Sequence, residues 1–274
     1  MSYVKYLLGD TPYSVYLKKE RKNMNWYHEV NPNWLEARKQ VITATELVSL
    51  IPEYRRWRKD KSQLSSACKS LYFKKHGTDT PDVRSYKDAA RGHIMEPYAL
   101  DEYDNTYSPK HYLYHWDDAI ITNNGIGWSP DAADVEQPAD NGVCYAYGLL
   151  DDKPKHIGEI KCYGLENHGK WFNVDKMELK ERLQLAVAMM VCPSIEDAVL
   201  IFYNPNSHWP VYRYTYKRDE LKHDIYLLQE VYKMWAATKS YLDSMADDKP
   251  KALYTEEDIY LANVDDGAWT EEAE

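Results

Sequence analysis

Little in this chain of 274 residues is built for a membrane or for export. No apolar run approaches the roughly 18 residues that span a bilayer, which argues against a membrane-spanning protein. The mean hydropathy of −0.71 points the same way. The opening MSYVKYLLGD lacks the charged-then-apolar pattern of a secretory signal, so secretion is not expected. The four cysteines, Cys68, Cys144, Cys162 and Cys192, form no CxxC pair. That excludes a zinc ribbon and a disulfide framework, and it favours a reducing cytosol. HExxH is absent too. His111 and His115 stand four apart, but HYLYHW alternates like a strand and does not offer a zinc-binding helix face. There is no internal repeat and no Gly/Ser linker. Phenylalanine is scarce at three residues against 25 tyrosines. The rings either replace Phe along strands or line a nucleic-acid channel, and composition alone leaves both readings open.

A surplus of basic charge is also missing, which looks wrong for a nucleic-acid protein until the charge is mapped. The formal net charge is −10. Residues 247–274 hold ten acidic and two basic residues, a net of −8. Residues 1–75 hold fifteen basic and seven acidic residues, a net of +8, so the remaining −10 lies in 76–246. The chain is polarised, and its total charge is a poor guide to its partners. The tail reads as a solvated acidic segment with a few apolar anchors such as Tyr254 and Trp269.

The periodicity changes along the chain. Residues 33–57 read as helix, then ITAT, then helix, with Thr43 or Thr45 able to cap the second. Residues 61–77 and 83–104 have helical spacing. HYLYHW, AIITNN and IGWSPD are short β-rich pieces separated by turn residues. GVCYAYGLL and HIGEIKCYG read as two antiparallel strands joined across DDKPK. Residues 175–191 return to helix, AVLIFYN and PVYRYTYK are strands around NPNSHW, and 218–245 form a closing helix. This order predicts an α/β (α+β) domain over 31–246, preceded by an arm at 1–30 and followed by the acidic tail at 247–274.

The chemistry concentrates between Asp131 and Lys161. Residues two apart in a strand share a face, so Glu159 and Lys161 of HIGEIKCY project together while Ile160 points into the core. An aspartate at a neighbouring strand end would complete an oxygen-donor site. Two carboxylates and a strand carbonyl suit Mg²⁺, which wants hard oxygen ligands in near-octahedral geometry. The lysine would stabilise charge on a phosphoryl oxygen. A D…ExK pattern by itself fits a surface ion pair equally well, so the flanking residues carry the weight.

Those flanks resemble a known family. NWLEARKQVITATEL is similar to the W…R…ITAS opening of lambda-type exonucleases, the YqaJ-like viral recombinase group. RGHIMEP resembles that family's RGxxxE helix, WSPDA its SPDG, and GEIKC its E[LI]KC. ERLQLAVAMM followed by FYNP resembles its Q-x-Q helix and the strand ending Y-D-P. Order and spacing agree from about residue 33 to 215. The resemblance implies the PD-(D/E)XK nuclease fold, a central mixed β-sheet flanked by helices. It implies an active-site core of Glu96, Asp131, Glu159 and Lys161. Asp131, Glu159 and the Ile160 carbonyl would hold a metal, and Glu96 a second ion or its water. Gln184 would orient a ligand, and Arg38, Thr45 and Ser129 would receive a 5′-phosphate. A guanidinium fork with hydroxyl donors fits a terminal phosphate. Mg²⁺ is the implied cofactor, two ions per site, with Mn²⁺ as a substitute.

The implied activity is 5′→3′ digestion of linear double-stranded DNA, leaving 3′ overhangs for phage-type recombination in a bacterial cytoplasm. The implied partners are DNA ends, further copies in a ring (a trimer or tetramer), and a single-strand annealing protein. The alternatives are another PD-(D/E)XK endonuclease or repair nuclease, or a DNA-end-binding protein without cleavage. Iron–sulfur nucleases of the CRISPR-associated kind are excluded because the cysteines do not fit a cluster. Three departures from the family stand out: Ala132 replaces the glycine after the aspartate, Arg182 replaces the first glutamine, and 28 residues separate Asp131 from Glu159. The last predicts an added hairpin or loop over 132–156. The run RRWRKDK at 55–61 is either a solvated face or a phosphate contact.

Overall fold

The computed structural model describes residues 31–59, 65–77, 86–139, 142–163 and 179–247. The arm at 1–30 and the tail beyond Asp247 lie outside these residues, as do the expected helix ends at 61–64, 83–85 and 175–178. In chain order the elements are α1 (Pro32–Lys39), β1 (Ile42–Thr43), α2 (Ala44–Ser49), α3 (Ile51–Trp57), α4 (Ser66–His76) and α5 (Tyr86–Tyr107). Next come β2 (Tyr114–His115), β3 (Ile120–Asn123), β4 (Ile126–Trp128), β5 (Ala132–Ala133), β6 (Cys144–Ala146) and β7 (His156–Lys161). The last are α6 (Leu179–Val191), β8 (Asp197–Tyr203), β9 (Val211–Lys217) and α7 (Lys222–Asp247). Two units divide the chain: Met1–Ala44 with Pro81–Ile225, and Thr45–Thr80 with Tyr226–Glu274.

The first unit carries all the strands named above, in two mixed sheets. One has the order β1-β4-β3-β6, the other β2-β5-β7-β8-β9. In the first sheet β3 and β4 form a hairpin over Asn124 and Gly125, with φ values of 50° and 79°. Asn-Gly suits such a turn because both residues tolerate positive φ and the resulting twist matches the strands. In the second sheet β7 lies parallel to β8 and antiparallel to β5. β7 and β8 are buried along most of their length, and β8 reads as a near-continuous apolar run, as strands covered on both faces do. Gly158 is needed in β7: a Cβ there would sit 3.1 Å from Leu113 Cδ1 and 3.3 Å from Ala132 Cβ. The bare backbone lets β7 close against its neighbours immediately before Glu159.

Helix α5 packs on one face of this sheet. Met95, Ala99, Leu100 and Tyr103 bury against Leu113, Ala132, Ile160, Val199 and Ile201. Because Ile160 belongs to this cluster, strand alternation sends Glu159 and Lys161 out of the opposite face. Helix α6 packs on β8, β4 and β3, and its residues from Leu183 to Met189 are almost wholly buried. Arg218 closes the far end of α6, donating to the carbonyls of Met189, Cys192 and Ile195. A cation on orphan carbonyls at a helix C-terminus satisfies them and opposes the dipole.

The expected hairpin of GVCYAYGLL with HIGEIKCYG does not form. β6 pairs parallel with β3, and β7 pairs with β5 and β8. After β6 the chain turns through a 3₁₀ segment, Tyr147–Leu149, which ends the strand. Tyr145 is anchored where it stands: its ring packs edge-on to Trp116 and its hydroxyl donates to the Gly142 carbonyl at 2.5 Å. The segment 132–156 is therefore not a simple added hairpin. Its first two residues are β5, and its later part adds a strand to the other sheet.

The second unit is helical in its described residues. Leu47, Val48, Leu50, Ile51, Cys68, Tyr72, Leu228, Val231, Met234 and Trp235 are its buried hydrophobic residues among those described. Ser65 caps α4, its hydroxyl accepting from Cys68 N at 3.1 Å. Burial pushes the Cys68 thiol up to about 11.

Candidate active site

Glu159 and Lys161 face the same way from β7, and the Lys161 ammonium donates to Glu159 Oε1. Asp131 precedes β5, whose register pairs Ala132 with Gly158. Continuing that register by one residue sets Asp131 opposite Glu159. The Asp131 carboxylate accepts the Ile160 amide at 2.7 Å, and its own carbonyl accepts the Trp116 amide at 3.1 Å. The sequence expectation that these residues converge is met: Asp131, Glu159, Ile160 and Lys161 form one constellation on paired strands.

Glu96, on α5, stands near enough for its charge to bear on Asp131. It is 7% exposed, and its Oε2 lies 3.2 Å from His115 Nε2 and 3.6 Å from His93 Nδ1. Burial alone would raise this carboxyl, but the two imidazoles outweigh it and hold Glu96 at about 2. The bond to Glu96 in turn raises His93. Asp131 behaves in the opposite way. Desolvation, then the charges of Glu159 and Glu96, push it well above the usual carboxylate range, and Lys161 and the Ile160 amide offset this only in part. Desolvation would lower Lys161, but Glu159 and Asp131 together raise it.

Among the described residues, no group of three or more His, Cys, Asp or Glu side chains is arranged as a ready cage for an ion. The donor set is smaller and harder: two carboxylates on paired strands, the Ile160 carbonyl, and Glu96 close enough to add to the repulsion at Asp131. All of these are oxygens, as Mg²⁺ prefers, and water supplies much of that ion's shell. The mutual repulsion that raises Asp131 is the strain a divalent cation would relieve. The residues present fit such an ion.

Gln184 is buried on α6. Arg38 and Ser129 meet in the first unit: Arg38 Nη1 lies 3.5 Å from Ser129 Oγ. Thr45 is exposed in the first turn of α2 and belongs to the second unit. Thr43, the other expected cap, is the residue immediately before α2.

Sequence reasoning gave no role to three further residues, Trp34, Tyr163 and His115. Trp34 links the Arg38–Ser129 pair. Its indole N–H lies 3.2 Å from Ser129 Oγ and 3.1 Å from the Ala119 carbonyl, and the Arg38 guanidinium sits 4.4 Å over its ring. The Trp–x₃–Arg spacing on α1 could have signalled this stacking. Tyr163, two residues beyond Lys161, donates its hydroxyl to buried Glu181 at 2.8 Å. Its carbonyl accepts from Asn204 at 2.7 Å. His115 could not have been found by motif, because its role depends on which helix β2 meets.

Residues 33–193 match the model of the YqaJ-like viral recombinase domain. Two solved structures of LHK-Exo, an alkaline exonuclease from Laribacter hongkongensis, resemble the chain in fold. One is a complex with dAMP. Their TM-scores are 0.53 and 0.51, at 16% identity, over 80% of this chain and 99% of theirs. No curated protein sequence matches. The family match spans more than half the chain and includes Arg38, Glu96, Asp131, Glu159, Lys161 and Gln184. The chain belongs to the YqaJ-like viral recombinase family, and it is an enzyme of that family's metal-dependent nuclease class.

Proposed function

We propose that the chain is a Mg²⁺-dependent 5′→3′ exodeoxyribonuclease acting on linear double-stranded DNA. The observation that carries this reading is a separation of two residues. Ser129, paired with Arg38, and Asp131, facing Glu159, flank Pro130. Two peptide steps span at most about 7 Å. An enzyme that grips a terminal phosphate that close to its hydrolytic carboxylates cuts about one nucleotide from the end. LHK-Exo has been seen with dAMP, a deoxynucleoside 5′-monophosphate, which is the product class expected of such cutting.

Two Mg²⁺ ions, or Mn²⁺ in their place, held by Asp131, Glu159, the Ile160 carbonyl and Glu96, would supply Lewis acidity at the scissile phosphate and acidify water. The protein does the rest. The Ile160 amide fixes the Asp131 carboxylate, and Glu159 holds the Lys161 ammonium where charge develops on the phosphoryl oxygen. Arg38, seated on Trp34, presents its fork to the terminal phosphate with the Ser129 hydroxyl. Gln184 would orient a ligand of the hydrolytic centre. The 3′ overhangs left behind would serve a single-strand annealing protein, and copies of the chain would form a ring of three or four around DNA in the host cytoplasm. Among the described residues no helix is long and apolar enough to cross a membrane.

The test is digestion of linear duplex carrying 5′-phosphate or 5′-hydroxyl ends, with Mg²⁺ or with EDTA, beside closed circular DNA. Expected is Mg²⁺-dependent release of mononucleotides from phosphorylated linear ends only. Cutting of closed circles would make the enzyme an endonuclease. Binding of ends with no Mg²⁺-dependent hydrolysis would make it an end-binding protein.

A further inference from the structure

Glu96 is held in an unusual way for a helical carboxylate. It is buried, and two imidazoles face it: His115 from β2 at hydrogen-bonding distance, and His93, one turn back on α5, at an ion-pair distance of 3.6 Å. Both approach the same oxygen, Oε2, and neither touches Oε1. Oε1 lies toward Gly92, where a Cβ would stand 3.9 Å away, so no side chain crowds that oxygen from position 92. Pro97 follows directly. It has no N–H for the His93 carbonyl, so the helical bond that would stiffen this turn is missing. The helix alone is therefore a weak holder for Glu96.

Strand β2 compensates. Its register places His115 opposite Ala132, next to Asp131. The last residue of β2 and the one after it then hold the two acids, one each: the His115 imidazole holds Glu96, and the Trp116 amide holds the Asp131 carbonyl at 3.1 Å. One short strand sets the spacing between two carboxylates that come from different elements.

We propose that His115, assisted by His93, is a positioning residue that fixes Glu96 Oε2 so that Oε1 is free to face the cation site shared with Asp131. The inference rests on the nuclease reading of that site. His115 acts as a hydrogen-bond donor through Nε2, which the amide nitrogen of glutamine can replace. His93, at 3.6 Å, adds a weaker contact through Nδ1. Partners of this outer kind typically change metal affinity by about 10–100-fold when removed.

The experiment uses the full chain and Mn²⁺ as the probe, with binding followed by electron paramagnetic resonance and turnover of 5′-phosphorylated duplex followed in parallel. His115→Ala should weaken Mn²⁺ binding by about 10-fold or more and lower kcat, with KM for DNA little changed. His115→Gln should restore most of both, and His93→Asn should stay close to wild type. In a Glu96→Gln background, His115→Ala should add almost nothing, because both changes act through one contact. Wild-type Mn²⁺ affinity in a folded His115→Ala protein overturns the proposal. So does a His115→Gln protein as impaired as the alanine variant, since the ring would then matter for packing alone. Should His115→Ala fail to fold, His115→Gln decides by itself: Mn²⁺ affinity near wild type is expected, and loss of that affinity in a folded His115→Gln protein overturns the proposal. Asp131→Asn separates the two levels. If it leaves Mn²⁺ binding intact, the metal-site reading falls and the positioning role falls with it.

Discussion

Asp131 and Asp243 are aspartates in two different units of this chain, and their surroundings push them in opposite directions. Asp131 is desolvated beside Glu159 and Glu96 and is raised well above the usual carboxylate range. Asp243 is opposed by desolvation too, but Lys239 and the Tyr72 hydroxyl hold it below that range. Tyr72 donates to Asp243 at 2.9 Å and stacks on His76 at 4.1 Å. The helical unit thus gives its acid partners that favour the charged form. In the sheet unit Asp131 is set beside the charges of Glu159 and Glu96, with Lys161 as its close ammonium. An arrangement that costs folding energy persists where it serves binding or chemistry. The contrast singles out Asp131 on energetic grounds, independently of any motif.

The strongest way to break the contrast is to remove the ammonium. Lys161→Ala should lower cleavage of 5′-phosphorylated duplex by about 10³-fold. The protein should stay folded, shown by an unchanged far-UV spectrum, because the like-charged cluster can relax by taking up a proton on Asp131. Normal digestion by this variant would remove Lys161 from the chemistry. Arg38→Ala should act on the substrate end. It should cost about 10–100-fold on 5′-phosphorylated ends and much less on 5′-hydroxyl ends, so that the preference between them collapses. Trp34→Phe keeps a ring beneath Arg38 but removes the N–H that reaches Ser129 and Ala119. It should raise KM by roughly threefold to tenfold, the worth of one hydrogen bond, with kcat little changed.

Much of this site was legible in the sequence because strand alternation is a rigid rule. Glu159 and Lys161 had to share a face once HIGEIKCY was a strand, and they do. The Asn-Gly turn and the long helix carrying Glu96 were local signals of the same kind. The pairing of strands was not local. GVCYAYGLL has the composition of a strand, but its partner is β3, more than twenty residues upstream. Tyr145 packs on Trp116 in that arrangement, a contact that no alternation pattern reports. His115 was hidden for the same reason. In sequence it is one of several histidines in an aromatic stretch, and only the register of β2 brings it to Glu96. The bond of Tyr163 to Glu181 joins a strand end to a helix start across 18 residues and was equally invisible. Where function depends on i and i+2 the sequence spoke plainly; where it depends on which element meets which, it was silent.

Stability offers a gentler test of the same contrast. A carboxyl raised in the folded state costs stability whenever it is forced to ionise. The sign runs against the usual case: the cost is absent below the unfolded-state value, sets in as pH rises through it, and is complete above the raised folded value. Asp131→Asn removes the charge and keeps an oxygen for the Ile160 amide. In EDTA near neutral pH it should raise Tm by about 2–4 °C, the shift for roughly 1 kcal/mol in a domain of this size. At a pH below the unfolded aspartate value the difference should vanish. Destabilisation at neutral pH in EDTA would mean that Asp131 is held comfortably as an anion, and the energetic argument for a cation site would fail.

Asp243 should show the reverse and the smallest effect. Its folded value is depressed, so its stabilisation is fully present above the unfolded value of about 3.9 and is lost as pH falls toward and through the folded one. The side chain is 42% exposed, as is Lys239, so solvent screens the pair. After that discount Asp243→Asn should cost only a few tenths of a kcal/mol at neutral pH. Chemical denaturation at pH 7 and at a pH below the depressed value checks it: the midpoint difference between wild type and variant should be small at the first and gone at the second. Raising the salt concentration should shrink it further, because the Lys239 contact is a surface ion pair while the Tyr72 hydroxyl bond is not. An Asp243→Asn protein more stable than wild type at neutral pH would place Asp243 with Asp131, and the two units would no longer differ in how they hold their acids.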